Sequence, residues 1–457
     1  MEVSRLSFQP LNIKPKKGPE EPDRTFKHII YEIVVWLFSP VYLGILFFVS
    51  ILVRLQKKDR SSKPRFVWGP AGLMSNVYWS RAMRLAGYPS ETYVNEVFVH
   101  IHKTENFDKI LRDKYKFLPL IQLKFFLAFI ESLFKYDIFV IPFCGSFLGF
   151  TPLWRFEAFA LRLAKKKTVV IPFGYDMYVY RNIRSMTLLH GMMISYPKVS
   201  RKQEKIYKQV AYWCRHGDVV IPGFMGIDGL GRWDVLIPTF LFLDESEWTA
   251  SRRLSEADGV TGTVYVSHAP NHRGIKGSEF IFKAVETLQK EGLKVELILM
   301  EKIQNDQVRK ILNEDTDILV EEIIFVGHGF NGLEGLASGL PTINNLENDH
   351  DSYVLPFRRW SYFNECPLVS ASPETITDVL RKLVTRPELR HQLGKAGRDY
   401  VEKYHGLESA QYLFGEVVEY LNGNRESLIN LYHPILGEYS KRKPKVEHPL
   451  VNNQIIG

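Results

Sequence analysis

Along most of the chain, short Val- and Ile-rich runs alternate with longer stretches whose apolar positions recur every three or four residues. The first pattern predicts buried strands and the second predicts helices. Residues 65–68 read as a strand ending in Gly69-Pro70-Ala71-Gly72, with a helical stretch to Leu85. Residues 92–99 read as a second strand, and helical spacing over 118–134 leads to a strand at 136–142. A helix around 158–163 precedes a strand at 167–171, and 218–221 and 235–237 add two more. After the polar stretch 245–259 the alternation restarts. Strands at 263–266, 295–300, 317–326 and 341–343 are separated by helices at 277–291, 305–313 and 333–338. Helices at 373–383, 387–405 and 409–421 close the body. Such alternation predicts parallel sheets with helices on both faces. Its restart predicts two tandem Rossmann-like α/β domains, 64–250 and 258–421, and a tail, 422–457, draped over the body. Open sheets of this class bind ligands beyond the carboxyl ends of their strands, so the cleft between the domains is the expected site.

One segment breaks the alternation. From Ile33 to Val53 the chain runs 21 residues without a charge, enough for a helix to cross hydrocarbon. Arg54, Lys57, Lys58, Arg60, Lys63 and Arg65 come next with only Asp59 opposing, which places the chain beyond them in the cytoplasm. The segment starts too late and runs too long for a cleaved signal. Two features complicate a single span. Pro40 removes a helix donor midway, and the 1–27 tail carries Arg5, Lys14, Lys16, Lys17, Arg24 and Lys27. A re-entrant hairpin with both ends cytoplasmic therefore stands beside a spanning helix as a reading of the membrane segment, 28–56. Either attaches the protein to a membrane with its α/β domains facing the cytoplasm.

Composition narrows the class. The chain has 457 residues, 45% hydrophobic and 24% charged, which is globular rather than disordered, collagen-like or polytopic. Its three cysteines, Cys144, Cys214 and Cys366, form neither a disulfide framework nor a zinc pattern. The net charge of +8 comes from basic residues spread along the chain, not from a nucleic-acid-binding arm. An anionic partner, either phosphate groups or a lipid surface, remains the expectation.

Two segments carry chemistry. Ser267 to Gly277, reading SHAPNHRGIKG, lies between a strand and a helix. Arg273 and Lys276 offer a forked guanidinium and a point ammonium beside a helix N-terminus, a set suited to a diphosphate; a solvated basic loop is the plain alternative. Gly327 to Pro341, reading GHGFNGLEGLASGLP, formally contains GxGxxG. Its helix lasts barely two turns, and it is not in the first βαβ unit of its domain. A glycine-rich loop still lets backbone amides approach phosphates. Glu334, in the first turn, can accept hydrogen bonds from vicinal hydroxyls such as a ribose, or simply satisfy the helix dipole.

These two segments, in this order and separation, resemble the carboxy-terminal domain of retaining GT-B glycosyltransferases of family 4 (glycosyltransferase group 1). The resemblance implies that Arg273 and Lys276 hold a donor diphosphate, and that Glu334 binds the donor ribose. It further implies that Gly329, Asn331, Gly332 and Leu333 line the donor site. It runs from Phe66 to about Leu421: Gly69 and Gly72 match the loop where donor and acceptor meet, Pro172-Phe173-Gly174-Tyr175-Asp176 resembles an H-G-x-D segment, and Leu393-Gly394-x-x-Gly397-Arg398 resembles the closing helices. Asp176 is thereby a catalytic candidate. Two positions depart from the pattern: Val326 stands where many members carry a glutamate near the transferred sugar, and Phe173 where a histidine is common.

The implied reaction moves a sugar, with retention, from a nucleotide-diphosphate donor to a glycan or lipid-linked acceptor at the cytoplasmic membrane face, as in polysaccharide or glycolipid assembly. No cofactor or metal is expected, since two cations meet the diphosphate, and no nucleic acid is expected as partner. Asp349-His350-Asp351 has the DxD spacing of metal-dependent transferases, but two carboxylates alone make a poor cage. His268 and His328 are placed near the cleft. Two other readings stay open: a nicotinamide-dependent oxidoreductase using the GxGxxG at Gly327, and a non-catalytic membrane scaffold of transferase fold.

Overall fold

The computed structural model describes residues 26–56, 62–97, 102–118, 120–223, 230–237, 239–249, 254–346 and 360–456. Two parallel sheets organise them. The first contains β1 (Phe66–Trp68), β2 (Ser90–Val94), β3 (Lys109–Ile110), β4 (Ile138–Ile141), β5 (Lys167–Val170) and β6 (Val219–Val220), in the order β3-β2-β1-β4-β5-β6. The second contains β7 (Val264–His268), β8 (Val295–Leu299), β9 (Ile318–Val326), β10 (Thr342–Asn345) and β11 (Val369–Ser370), in the order β11-β10-β9-β7-β8. Every pairing between these strands is parallel. The first order is the doubly wound 3-2-1-4-5-6; the second, counted within its domain, is 2-1-3-4-5. Each order reverses at one place, between β1 and β4 and between β7 and β9. There the loops leave in opposite directions and open a crevice.

The predicted alternation of elements is present, and two of the predicted strands differ from those observed in the amino-terminal domain. Its second strand lies at Ser90–Val94, earlier than 92–99, because Asn95 N–H turns away to Pro70 O (2.8 Å); residues 98 and 99 fall outside the described set. Residues 235–237 are not a strand. Val220 N–H, which would begin that pairing, donates instead to the Asp234 carboxylate at 2.7 Å, and Val235 and Ile237 are buried as part of a connecting segment.

The two domains share one apolar core. Helix Leu407–Leu421 returns from the carboxy-terminal domain to lie on helix Met74–Leu85, with Phe414 4.8 Å from the Trp68 ring and 5.9 Å from that of Trp79. Trp79 Nε1 donates to Phe240 O, fixing the connecting segment against the same helix. On the other side, helix Met186–Ser195 of the first domain meets the short helix Arg273–Lys276 of the second, where Ile275 N–H donates to Ser195 Oγ at 2.9 Å. The tail beyond Leu421 lies against the second domain. Ser370 N–H donates to Asn453 O, and Tyr439 Oη to Lys403 O.

The apolar segment is one continuous helix, Phe26–Leu55, running through Pro40; it is not a hairpin. Its stretch Leu37–Leu55 is long and apolar enough to cross a membrane, with mean hydropathy 2.0. It packs against the first domain through buried Ser39, Leu46, Ser50 and Val53, and Tyr42 and Phe47 meet the rings of Phe126 and Phe159.

Helix Pro387–Tyr404 clamps the segment that bears the glycine-rich loop. A Cβ on Gly394 would sit 2.1 Å from Gly339 O, and one on Gly397 2.9 Å from a Leu336 methyl. Backbone cannot yield as a flexible side chain can, so Gly394→Ala is expected to cost about 2–3 kcal/mol. Chemical denaturation checks this; an unchanged midpoint contradicts the close packing.

Candidate functional site

The two strands that bound the crevice of the second sheet, β7 and β9, are the strands that end in the two chemically suggestive segments. Sequence alone could place each after a strand; the topology makes them neighbours across one switch point.

Arg273 opens the short helix after β7. Its guanidinium makes a forked pair with Glu301, at the end of β8, through Nε and Nη2, both at 2.6 Å. The two side chains are 40% and 30% exposed, so the cation stands at a solvent-facing edge. Lys276, one turn on, is different. Its side chain is 16% exposed, and its ammonium lies between Glu322 (2.6 Å) and Glu321 (3.2 Å), which are almost wholly buried. Burial works against the charge on Lys276, but attraction to the two carboxylates outweighs it and raises its pKa.

Glu321 connects that ammonium to the glycine-rich loop. Burial opposes its charge, yet Lys276, Asn344 Nδ2 (2.8 Å) and Gly329 N–H (3.0 Å) hold its carboxyl below the usual range. Gly329 and Gly332 lie directly over it: a Cβ on Gly332 would be 2.2 Å from Glu321 Oε2. This is the physical reason for glycine there. Glu322, pushed to about 8 by burial and then by Glu321, faces Tyr178 and Tyr196 of the first domain. Beyond Val320, β9 loses regular register with β10, so the strand bulges at Glu321 and again before reaching Val326. The place beside the loop that the resemblance gives to residue 326 holds an apolar side chain. The carboxylates of this region come instead from 321 and 322.

Glu334 lies in helix Phe330–Ala337 and is nearly buried. Its Oε1 accepts from Asn305 Nδ2 (2.9 Å) and its Oε2 from Asn331 Nδ2 (3.2 Å). Burial raises it to about 7 against those two donors. Phe330 of this helix faces Tyr78 of the first domain, ring centroids 6.2 Å apart, so Glu334 stands by the interdomain cleft. Leu333 is buried beneath the loop.

His268 and His328 are structural by their contacts. His268, wholly buried, uses Nδ1 on Val320 O and Nε2 on Ser278 Oγ, and burial drops it to about 4. His328, also lowered to about 4 by burial, meets Tyr362 Oη at 2.9 Å. That hydroxyl meets His405 Nε2 at 2.9 Å, and His405 Nδ1 meets Leu241 O at 2.8 Å. The chain of contacts ties the glycine-rich loop to the interdomain connection.

In the first domain, the crevice between β1 and β4 is a shallow cleft, about 260 Å³ with open solvent included, lined by Gly69, Asn76, Trp79, Pro142 and Phe173, among others. Gly69 and Gly72 back onto the end of β2, where a Cβ on either would stand 2.1 or 2.2 Å from a carbonyl oxygen. Asp176 does not offer a free oxygen to this cleft. Its Oδ2 accepts from Phe143 N–H (2.9 Å), and its Oδ1 from Phe173 N–H (3.0 Å) and Gly174 N–H (2.9 Å). It pins the turn after β5 to the loop after β4, and burial lifts its carboxyl to about 7. Asp349, His350 and Asp351 lie outside the described residues. Among the described residues no cluster of three or more metal-ligating side chains occurs.

Sequence reasoning missed Glu301, Glu321 and Glu322. The signal was present: two adjacent glutamates interrupt the apolar run 318–326, and buried carboxylates in a strand require a buried cation.

No family model matches the chain, and no curated protein matches it. Solved structures it resembles include Anabaena HepE in complex with UDP and glucose, 10% identical, covering 79% of this chain and all of that one, with TM-score 0.47. An alpha-glucosyltransferase in complex with UDP and a 13-mer DNA containing an HMU base is 8% identical over 79% of this chain and all of that one, with TM-score 0.48. WaaG, a glycosyltransferase involved in lipopolysaccharide biosynthesis, is 12% identical over 79% of this chain and 98% of that one, with TM-score 0.40. At these levels no residue role passes from them to this chain, and the functional reading rests on the site itself.

The burial of Lys276 and Glu321 sets a testable asymmetry between the two cations. Removing one partner of a buried pair leaves an uncompensated charge, at about 3–5 kcal/mol; an exposed pair contributes about 0–1 kcal/mol. Lys276→Ala is therefore expected to lower the unfolding midpoint strongly and Arg273→Ala hardly at all. Equal losses in thermal unfolding contradict this geometry.

Proposed function

We propose that this protein is a membrane-associated glycosyltransferase of GT-B type, moving a sugar from a nucleotide-diphosphate donor to a lipid-linked or glycan acceptor. The observation that carries the reading is the convergence at one switch point of an exposed guanidinium, a glycine-floored loop and a buried carboxylate, Glu334, beside the interdomain cleft. That set matches a diphosphate and the hydroxyls of its nucleoside.

In this reading the donor diphosphate draws Arg273 from Glu301, an exchange that costs little because the pair is exposed. Lys276 adds its charge from below while holding Glu321 under the loop. The amide of Gly332, in the first turn, faces the phosphates, while that of Leu333 donates to Gly329 O at 3.4 Å. As the C1–oxygen bond breaks, its electron pair passes to the β-phosphate, and these donors stabilise the growing charge. The acceptor oxygen bonds to C1 on the face the nucleotide leaves, and the leaving phosphate oxygen takes the acceptor proton, giving retention. No step requires a base at position 173, where Phe173 stands. The cleft between β1 and β4 receives the acceptor, with Asp176 shaping its wall as a positioning residue. The cytoplasmic orientation is inferred from the cations after the apolar helix, which favour the anionic cytoplasmic leaflet. Assembly of a surface polysaccharide or glycolipid is the role such a protein serves.

The oxidoreductase reading is less well supported. The GxGxxG at Gly327 comes after β9, the third strand of its domain, and leads into a helix of eight residues.

Thermal unfolding of the full chain with UDP-, GDP- and ADP-sugars and with NAD tests the reading. One nucleotide sugar at about a hundredfold its Kd is expected to add about 2.7 kcal/mol, lost in Arg273→Ala. Stabilisation by NAD alone, undiminished in that variant, overturns it. Glu334 supplies a second test. Its carboxyl, near 7, must ionise to accept hydroxyls at full strength, so donor affinity is expected to rise up to about tenfold between pH 6 and pH 8. Glu334→Gln binds more weakly with no such rise; a pH-independent wild type contradicts the role.

A further inference from the structure

The helix Phe26–Leu55 meets the first domain along one side only. Leu37, Val41, Ile45, Phe48, Leu52 and Leu55, spaced three or four apart, remain exposed as one outward stripe. The elements packed beside it add exposed aromatics: Phe159 and Phe156, whose rings lie 5.1 and 6.2 Å from that of Phe47. Cations flank this surface: exposed Arg155 and Arg162 stand next to Phe156 and Phe159, exposed Arg54 ends the helix, and Lys116 lies over the exposed Phe117 ring at 5.0 Å. Between the helix and the domain runs an open groove enclosing about 610 Å³, solvent included. Phe38, Tyr42, Leu120, Leu123, Phe126 and Leu153 line it, and Gln122, also in its wall, has a buried carbonyl oxygen with no hydrogen-bond partner.

We infer that the helix lies in the plane of the bilayer surface, and that the groove takes an acyl chain of a bilayer phospholipid. A crossing orientation fails on charge. The domain is packed along residues 39–53, so a spanning helix drags Arg155 and Arg162 into hydrocarbon, at about 2.5–3.5 kcal/mol each. Lying flat, the helix sinks its outward stripe into the acyl region and leaves those cations at anionic headgroups, the arrangement of an interfacial helix. The groove then opens where acyl chains are, and its apolar wall suits hydrocarbon. Gln122 offers its acceptor to interfacial water or to a headgroup hydroxyl such as that of phosphatidylglycerol. The connection that forms part of this wall, through Leu148 and Leu153, begins at Pro142 in the cleft between β1 and β4. The membrane face thus adjoins the cleft proposed for the acceptor. The inference rests on the membrane attachment proposed above and not on the sugar transfer.

The test adds the full chain to preformed sealed vesicles of phosphatidylcholine and phosphatidylglycerol. These contain a trace of phospholipid with a photoactivatable group near the end of one acyl chain. Flotation reports attachment, and mass spectrometry maps the adducts. Adducts are expected at 120–126 and 148–153 as well as on the outward stripe. Leu123→Trp, which fills the groove, and Leu120→Ser, at an exposed position, are expected to cut the groove adducts several-fold with flotation unchanged. Protease added outside is expected to remove an amino-terminal tag. Flotation with adducts on the stripe alone overturns the groove, and a protected tag overturns the in-plane helix. Failure of the wild type to float overturns the attachment itself.

Discussion

A single buried ammonium organises the carboxy-terminal domain. Lys276 lies at the end of one strand's loop, Glu321 and Glu322 in the middle of the neighbouring strand, and the glycine-rich loop rests on Glu321 through Gly329. None of these groups tolerates burial alone: the carboxylates need the cation, and the cation needs both of them. Their mutual requirement sets the separation of the two loops at the switch point. It also explains why the residues above Glu321 are glycines, since any side chain at 332 enters the space of its carboxylate. The crevice is therefore built from below, and Arg273, on the same short helix as Lys276, is left at its solvent-facing edge.

The same constraint joins the two domains. The short helix carrying Arg273 and Lys276 is held from the other side by Ser195, and Glu322 faces two tyrosines of the first domain. At the opposite end Phe414 and Trp79 share one core. The His328–Tyr362–His405 chain runs from the loop to the connection between domains. Through His405 Nδ1 the chain ends on Leu241 O, in the segment that links the domains.

Most of the architecture was legible in the sequence because parallel strands buried on both faces leave continuous apolar runs. The strands 66–68, 138–141, 167–170 and 264–268 and their helices are of that kind. What escaped was short or set by tertiary contacts. β3 and β11 are two residues each, and helices Met186–Ser195 and Gln203–His216 lie in the stretch between 171 and 218 that the apolar pattern left unassigned. The apolar run 235–237 took another course because Asp234 capped the strand edge that it was expected to join. At the site, residue types and spacing placed Arg273, Lys276 and Glu334 in one region. They did not distinguish an exposed cation from a buried one, because the partners that decide this, Glu301 and Glu321, lie 28 and 45 residues away.

The central claim is that a nucleoside diphosphate binds over this network. Hydrogen exchange of the full chain with and without saturating UDP, GDP or ADP tests it most directly. Slowed exchange is predicted in peptides covering 269–277 and 327–337 with one of the three nucleotides, absent in Arg273→Ala. Protection confined to the first domain, or none with any of the three, would contradict it.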